Sequence, residues 1–227
     1  MARTKTDDPE ARAKILAAAE TLFAEHGFAG VGVRQIAAAA SVNGAMIHYY
    51  FGNKENLYVA VIENAASTVR GLIAEAMQSA TSLEERLTRF VRAYAGYLFD
   101  HPHLARILSR EMLSGGKYFM QIFPKYAPTN YGMLREAMAE GVRRGELRAI
   151  DVYLAPVSLI GMIVVFQLLR PVVALGLGKV QFDDRFIERL AAHTIDLFFN
   201  GAARTNQDKA GKRARQATAT RRRKGQR

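Results

Sequence analysis

The 227 residues include no cysteine, which excludes disulfides, thiolate zinc sites and cysteine nucleophiles. The opening MARTKTDDPE has no apolar core of the kind a secretory signal peptide needs, and the expected compartment is the cytoplasm. No run alternates apolar and polar residues as a half-buried strand would, no internal repeat is present, and no glycine-rich phosphate loop follows a strand. The five histidines are scattered. Asp100, His101 and His103 are the densest set, but they straddle a proline at a helix start, which reads as an N-cap with solvated imidazoles. Without a convergent set of catalytic groups, an enzyme is not expected, nor is a bound metal or cofactor.

Positive charge is abundant but misplaced for a folded basic surface. The formal charge is +11, yet residues 204–227 hold ten Lys or Arg against one acid, Asp208. The first 60 residues carry six basic and six acidic side chains and are formally neutral. If that region binds nucleic acid, geometry rather than bulk charge must do it. The tail from 203 has no apolar residue larger than alanine, cannot bury surface, and is expected to be disordered. It would add affinity for any nucleic acid through counterion release.

One stretch raises the question of a membrane. Residues 152–169, VYLAPVSLIGMIVVFQLL, form an 18-residue run without charge. Pro156, Ser158 and Gln167 interrupt it, Asp151 and Arg170 flank it closely, and no aromatic belt marks its ends. A helix that is apolar all round also suits the centre of a helical core or a subunit interface, so no membrane partner is expected.

The periodic segments are helical, and the expected fold is all-α. Asp8-Pro9 supplies a cap and a first-turn proline. Ile15, Ala19, Leu22 and Phe23 then form one apolar stripe, and Gly27 ends the helix. A second helix is expected near 33–40, a third over 44–50 capped by Asn43 and stopped by Gly52, and a fourth from Asn53 to about 78. Longer helices follow at about 83–99, 102–113, 125–144, 151–175 and 183–200. The expected division is a head at 1–52, a larger helical domain at 53–202, and the tail from 203.

Within the head, two short helices joined by a tight turn and braced by a longer one form a helix-turn-helix pattern. On the third helix Ile47, Tyr50 and Phe51 can face inward with Val42, leaving Gly44, Ala45, His48 and Tyr49 on the outer face. Asn43, Gly44 and Ala45 lie at the N-terminal end, where a recognition helix approaches DNA, and Ala45 could touch a thymine methyl. His48 and Tyr49 can reach phosphates or base edges, and Lys54 a phosphate.

Residues 11–57 resemble the DNA-binding domain of TetR-family transcriptional regulators. The resemblance lies in AEHGF (24–28), VRQIAAAASV (33–42) and IHYYFGNKENL (47–57), and VNGAMIHYYFGNKENLY is similar to the CecR-like branch. Three positions depart from the pattern. Val31 and Gly32 lack the hydroxyl that often stands there, leaving a backbone amide of Gly32 or Val33, and Arg34, as phosphate contacts; His48 replaces the usual first tyrosine and passes its role to Tyr49. The resemblance implies a homodimeric regulator, most simply a repressor. Each third helix would read half of a palindromic double-stranded DNA operator, and a small-molecule inducer would change the spacing of the heads.

Large apolar residues in the last two long helices add to this. Leu159, Ile163, Leu190, Ile195 and Phe198 are expected at a four-helix dimer interface. Met112, Phe119, Met120, Phe123, Tyr126 and Tyr131, with Phe166, are the candidate pocket lining, because methionine and aromatics give an adaptable apolar wall. A sequence-nonspecific nucleic-acid binder driven by the tail is the alternative reading.

Overall fold

A computed structural model describes residues 8–78, 82–176 and 181–201, and those residues form ten helices with no strand among them. The basic tail and the first seven residues lie outside the described residues. Contacts divide the chain into a body, Met1–Ile195, and a short terminal unit from Asp196.

The first four helices follow the capping signals. α1 (Pro9–His26) begins where the Asp8 carboxylate accepts from the amides of Glu10 and Ala11. It ends at Gly27, whose φ of 74° suits a residue without a Cβ. α2 (Val33–Ala39) and α3 (Gly44–Phe51) enclose the tight turn, and α4 (Lys54–Gln78) starts after Asn53 Oδ1 accepts from the Asn56 amide at 2.7 Å. Ile15, Phe23, Ile36, Ile47, Leu57 and Ile62 form one buried cluster. The same cluster continues into Leu104, Ile107, Tyr118 and Ile122, so the apolar core runs past residue 52 without a break.

α5 (Leu83–Asp100), α6 (Pro102–Leu113) and α7 (Phe119–Arg143) follow. α7 starts six residues earlier than the sequence pattern predicts and carries Pro124 and Pro128 inside it. The prolines remove the amides that would meet the carbonyls of Met120 and Pro124. The start is set from another helix: the buried Glu111 carboxylate of α6 accepts from the amides of Tyr118 and Phe119 at 3.0 and 3.2 Å.

The expected helix over 151–175 is two helices. α8 (Ala155–Leu168) and α9 (Arg170–Gly176) meet at Leu169 with a 69° bend. Pro171 explains the break, because it has no amide for the Gln167 carbonyl. Gln167, a polar residue in this apolar run, donates through Nε2 to the Leu98 carbonyl at 2.9 Å. The backbone partner of that carbonyl in a continuing helix would be Pro102, which has no N–H. Among the described residues α4 is the one helix long and apolar enough by itself to cross a bilayer; it packs against α1, α5 and α7. α10 (Asp184–Asn200) closes the described chain.

Candidate nucleic-acid interface

The turn between α2 and α3 forces an unusual conformation. Ser41 takes φ 55°, positive for a residue with a side chain, while the Val42 amide donates to Ala37 O at 3.0 Å. Asn43 Oδ1 then accepts from the Ala45 amide at 2.9 Å, so this side chain caps α3 with its oxygen. Ile47 and Phe51 are buried one turn apart, as the helical period predicts. On the opposite side Ala45, His48 and Tyr49 are exposed, and Tyr49 keeps half its surface (50%) open to solvent.

The two rings beside Tyr49 are tied back to the chain. His48 Nδ1 lies 2.9 Å from Gly52 O. A carbonyl only accepts, so Nδ1 carries the proton of this bond, and the neutral form of the ring would leave Nε2 as an acceptor. The Tyr50 hydroxyl accepts from the Asp8 amide at 2.9 Å and donates to the Asp8 carbonyl at 3.1 Å. Tyr50 is half-buried, as its inward expectation requires, but its polar end serves α1.

Lys54 is corrected. Its Nζ donates to Phe28 O at 3.1 Å and Val31 O at 3.0 Å, and stands 4.3 Å from the centroid of the Phe28 ring. Two of three ammonium protons hold the α1–α2 loop, leaving one for a phosphate. Of the two backbone amides expected here, that of Gly32 donates to Gln35 Oε1 at 2.7 Å, leaving that of Val33. Arg34 stands exposed in the first turn of the same helix.

Sequence reasoning missed the joint beneath this surface. Phe23, Phe28, Tyr58 and Tyr118 pack ring against ring at 4.9–5.2 Å, from Phe23 to Tyr58, Tyr58 to Phe28 and Tyr118, and Phe28 to Tyr118. Glu111 lies at its edge and is 5% exposed. Burial, with the Glu111 carboxylate beside it, raises the Tyr58 phenol above its usual range and keeps it protonated. Arg110, next on α6, donates to Phe23 O at the end of α1. In the sequence Arg110 and Glu111 look like surface charges of a helix.

The candidate pocket residues are not gathered into one wall. Met120 and Phe123 are 57% and 44% exposed on α7, and Phe119 packs on Phe123 at 5.6 Å. Tyr126 is buried, and its hydroxyl donates to Glu63, which Lys125 also bonds. Those contacts, the Lys125 bond first, lower the Glu63 carboxyl below its usual range. The Tyr131 hydroxyl donates to Tyr153 O. Phe166 belongs elsewhere, against Phe186 at 5.6 Å. The Met112 side chain lies outside the described residues. A cleft of about 240 Å³ between α4 and α5, lined by Leu72, Glu75, Ala76, Arg89, Arg92 and Ala93, includes none of them.

Four of the five candidate interface residues are used inside one chain. Leu159, Ile163, Leu190 and Ile195 are buried inside the body. Phe198 lies in the terminal unit, edge-on to Phe199 at 5.7 Å. The apolar face that α8 leaves exposed is the opposite one: Val157, Met162, Val165 and Leu168. His101 is the N-cap residue of α6 without a side-chain capping bond, and its Nδ1 lies 3.9 Å from Glu20.

Comparison with known proteins places both halves of the chain. Residues 15–61 match the family model described as bacterial regulatory proteins, tetR family, and residues 83–202 match that of the HTH-type transcriptional dual regulator CecR, C-terminal domain. The chain is 28% identical over 210 residues to CecR of Shigella flexneri, covering 85% of this chain and 92% of CecR. It is 31% identical over 139 residues to the transcriptional repressor NicS of Pseudomonas putida, covering 60% of this chain and 66%, just under two thirds, of NicS. In fold it is similar to PfmR of Thermus thermophilus, with a TM-score of 0.69 and 23% identity over 86% of this chain and 98% of the other. FadR of Bacillus subtilis, solved in complex with stearoyl-CoA, gives a TM-score of 0.70 with 21% identity over 85% and 100%.

Proposed function

Because the chain belongs to the TetR family of bacterial regulatory proteins, with a C-terminal domain of the CecR type, we propose that it is a ligand-responsive repressor that binds a palindromic operator as a homodimer. The observation that carries this is the outer face of α3. Gly44, Ala45, His48 and Tyr49 share it, while Ile47 and Phe51 anchor the other side and Asn43 caps the entry. Small residues at the N-terminal end allow close approach to a major groove. The exposed phenol can bond phosphates or base edges, the Nε2 acceptor can take a proton from a base-edge amino group, and Arg34 and the third Lys54 proton contact the backbone.

The second copy covers α8. Its exposed stripe of Val157, Met162, Val165 and Leu168 is the kind of apolar surface that a two-fold axis buries against itself. The working division is a head through residue 52, a helical regulatory domain to 202 and a basic tail. A small-molecule inducer enters the regulatory domain, as stearoyl-CoA is bound by FadR of Bacillus subtilis. Inducer and operator then oppose each other through a reciprocal coupling. Gel shifts with DNA flanking the protein's own gene test the reading. Tyr49→Ala is expected to weaken the specific shift while the far-UV helix signal and dimer mass stay as in the wild type. An unchanged specific shift would mean that α3 does not read this DNA through its outer face.

A further inference from the structure

Two buried residues cannot by themselves fix the roll of a helix as short as α3. Ile47 and Phe51 lie one turn apart and so define a line along the helix. Rolling about that line would swing Ala45, His48 and Tyr49 sideways while both anchors stayed buried. Contacts off that line hold the outer face at one angle: Met46 packs partly buried against the core, and a directional hydrogen bond fixes what apolar packing leaves soft.

Tyr50 supplies it. At 100° per residue its side chain leaves α3 on the flank between the buried line and Tyr49. Its hydroxyl grips residue 8 from both sides, accepting from the amide at 2.9 Å and donating to the carbonyl at 3.1 Å. Asp8 is itself fixed, because its carboxylate caps the Glu10 and Ala11 amides at the first turn of α1. The Tyr49 ring stands edge-on to the Tyr50 ring, centroids 5.0 Å apart. The clasp therefore runs from the start of α1 through Tyr50 to the most exposed ring of α3.

We propose that Tyr50 is a positioning residue for operator recognition: its hydroxyl locks the roll of α3 against the cap of α1 and thereby aims Tyr49. This rests on α3 being the helix that reads DNA. A phenol that served as a phosphate contact would act alike on every sequence, because phosphates carry no sequence information. A phenol that sets the angle of the helix acts on base readout and leaves sequence-independent phosphate binding in place.

The test uses the full chain with Tyr50→Phe, which keeps the ring and removes both hydrogen bonds, and measures affinity for operator and for scrambled DNA at one salt concentration. The ratio of the two affinities is expected to fall on the order of tenfold, with scrambled-DNA binding unchanged. Asp8→Ala keeps the clasped amide and carbonyl but frees residue 8 from its side-chain cap, and is expected to lower the same ratio by a smaller factor. An equal loss on both DNAs would make Tyr50 a phosphate contact or a stability residue and overturn the proposal. So would an unchanged ratio in Tyr50→Phe. A wild-type chain that does not distinguish the two DNAs would remove the reading of α3 and this inference together.

Discussion

Lys54 engages Phe28 twice: its ammonium donates to the Phe28 carbonyl at 3.1 Å and stands 4.3 Å from the centroid of the ring. The Val31 carbonyl takes a second proton at 3.0 Å. Lys54→Ala therefore strands two carbonyls of the α1–α2 loop. It is expected to cost about 1–3 kcal/mol of stability as well as operator affinity. Thermal melting followed by far-UV circular dichroism checks the first effect; an unchanged midpoint with weakened DNA binding would return Lys54 to a purely phosphate-binding role.

Gly44 has no structural need to be glycine. A Cβ built there meets nothing within 4 Å, and glycine in a helix is less favourable than alanine by up to about 1 kcal/mol. The proposed close approach of DNA at this end of α3 would account for it. Gly44→Ala is expected to leave the melting midpoint equal or higher and to weaken operator binding by about tenfold, equivalent to about 1.4 kcal/mol. Operator affinity equal to wild type would show that nothing approaches closely at this position.

Val165 is 51% exposed on the outer face of α8. Val165→Glu would place two carboxylates near each other across a two-fold axis and bury both. Sedimentation is expected to show a monomer with the helix signal intact, since the side chain leaves the core of the body untouched. A dimer that persists would move the interface away from this face.

Glu20 predicts a pH effect. Burial raises its carboxyl above the ordinary value, against the opposing attraction of His101 and His103. The folded chain thus holds a proton that the unfolded chain releases, and stability falls as pH rises from the ordinary value through the raised one. Glu20→Gln removes that loss. The variant is expected to melt higher than wild type at pH 8, with the advantage shrinking as the pH is lowered into the carboxylate range. A melting difference that does not change with pH would assign the effect to packing.

How much of this the sequence displays depends on whether the deciding atoms are local. Asp8, Gly27, Asn43 and Gly52 carry their own capping chemistry, so the four N-terminal helices are visible from the sequence to within a residue or so. The inner and outer sides of α3 follow from Ile47 and Phe51 because polar and apolar positions differ there. α8 has no such contrast: every side is apolar, so the pattern has no phase, and Leu159 and Ile163 could not be told from Val157 and Val165. The start of α7 depends on Glu111, and the job of Lys54 on carbonyls 23 and 26 residues away. A local window contains neither.

A nuclease footprint on the DNA flanking the protein's own gene, made with the full chain, tests the central claim most directly. The outer face of α3, presented twice by a two-fold dimer, predicts one discrete protected region whose two half-sites are symmetric and about one helical turn, roughly 10 base pairs, or a multiple of it apart. Protection smeared along the fragment, or no protection at concentrations where the chain is a folded dimer, would contradict it.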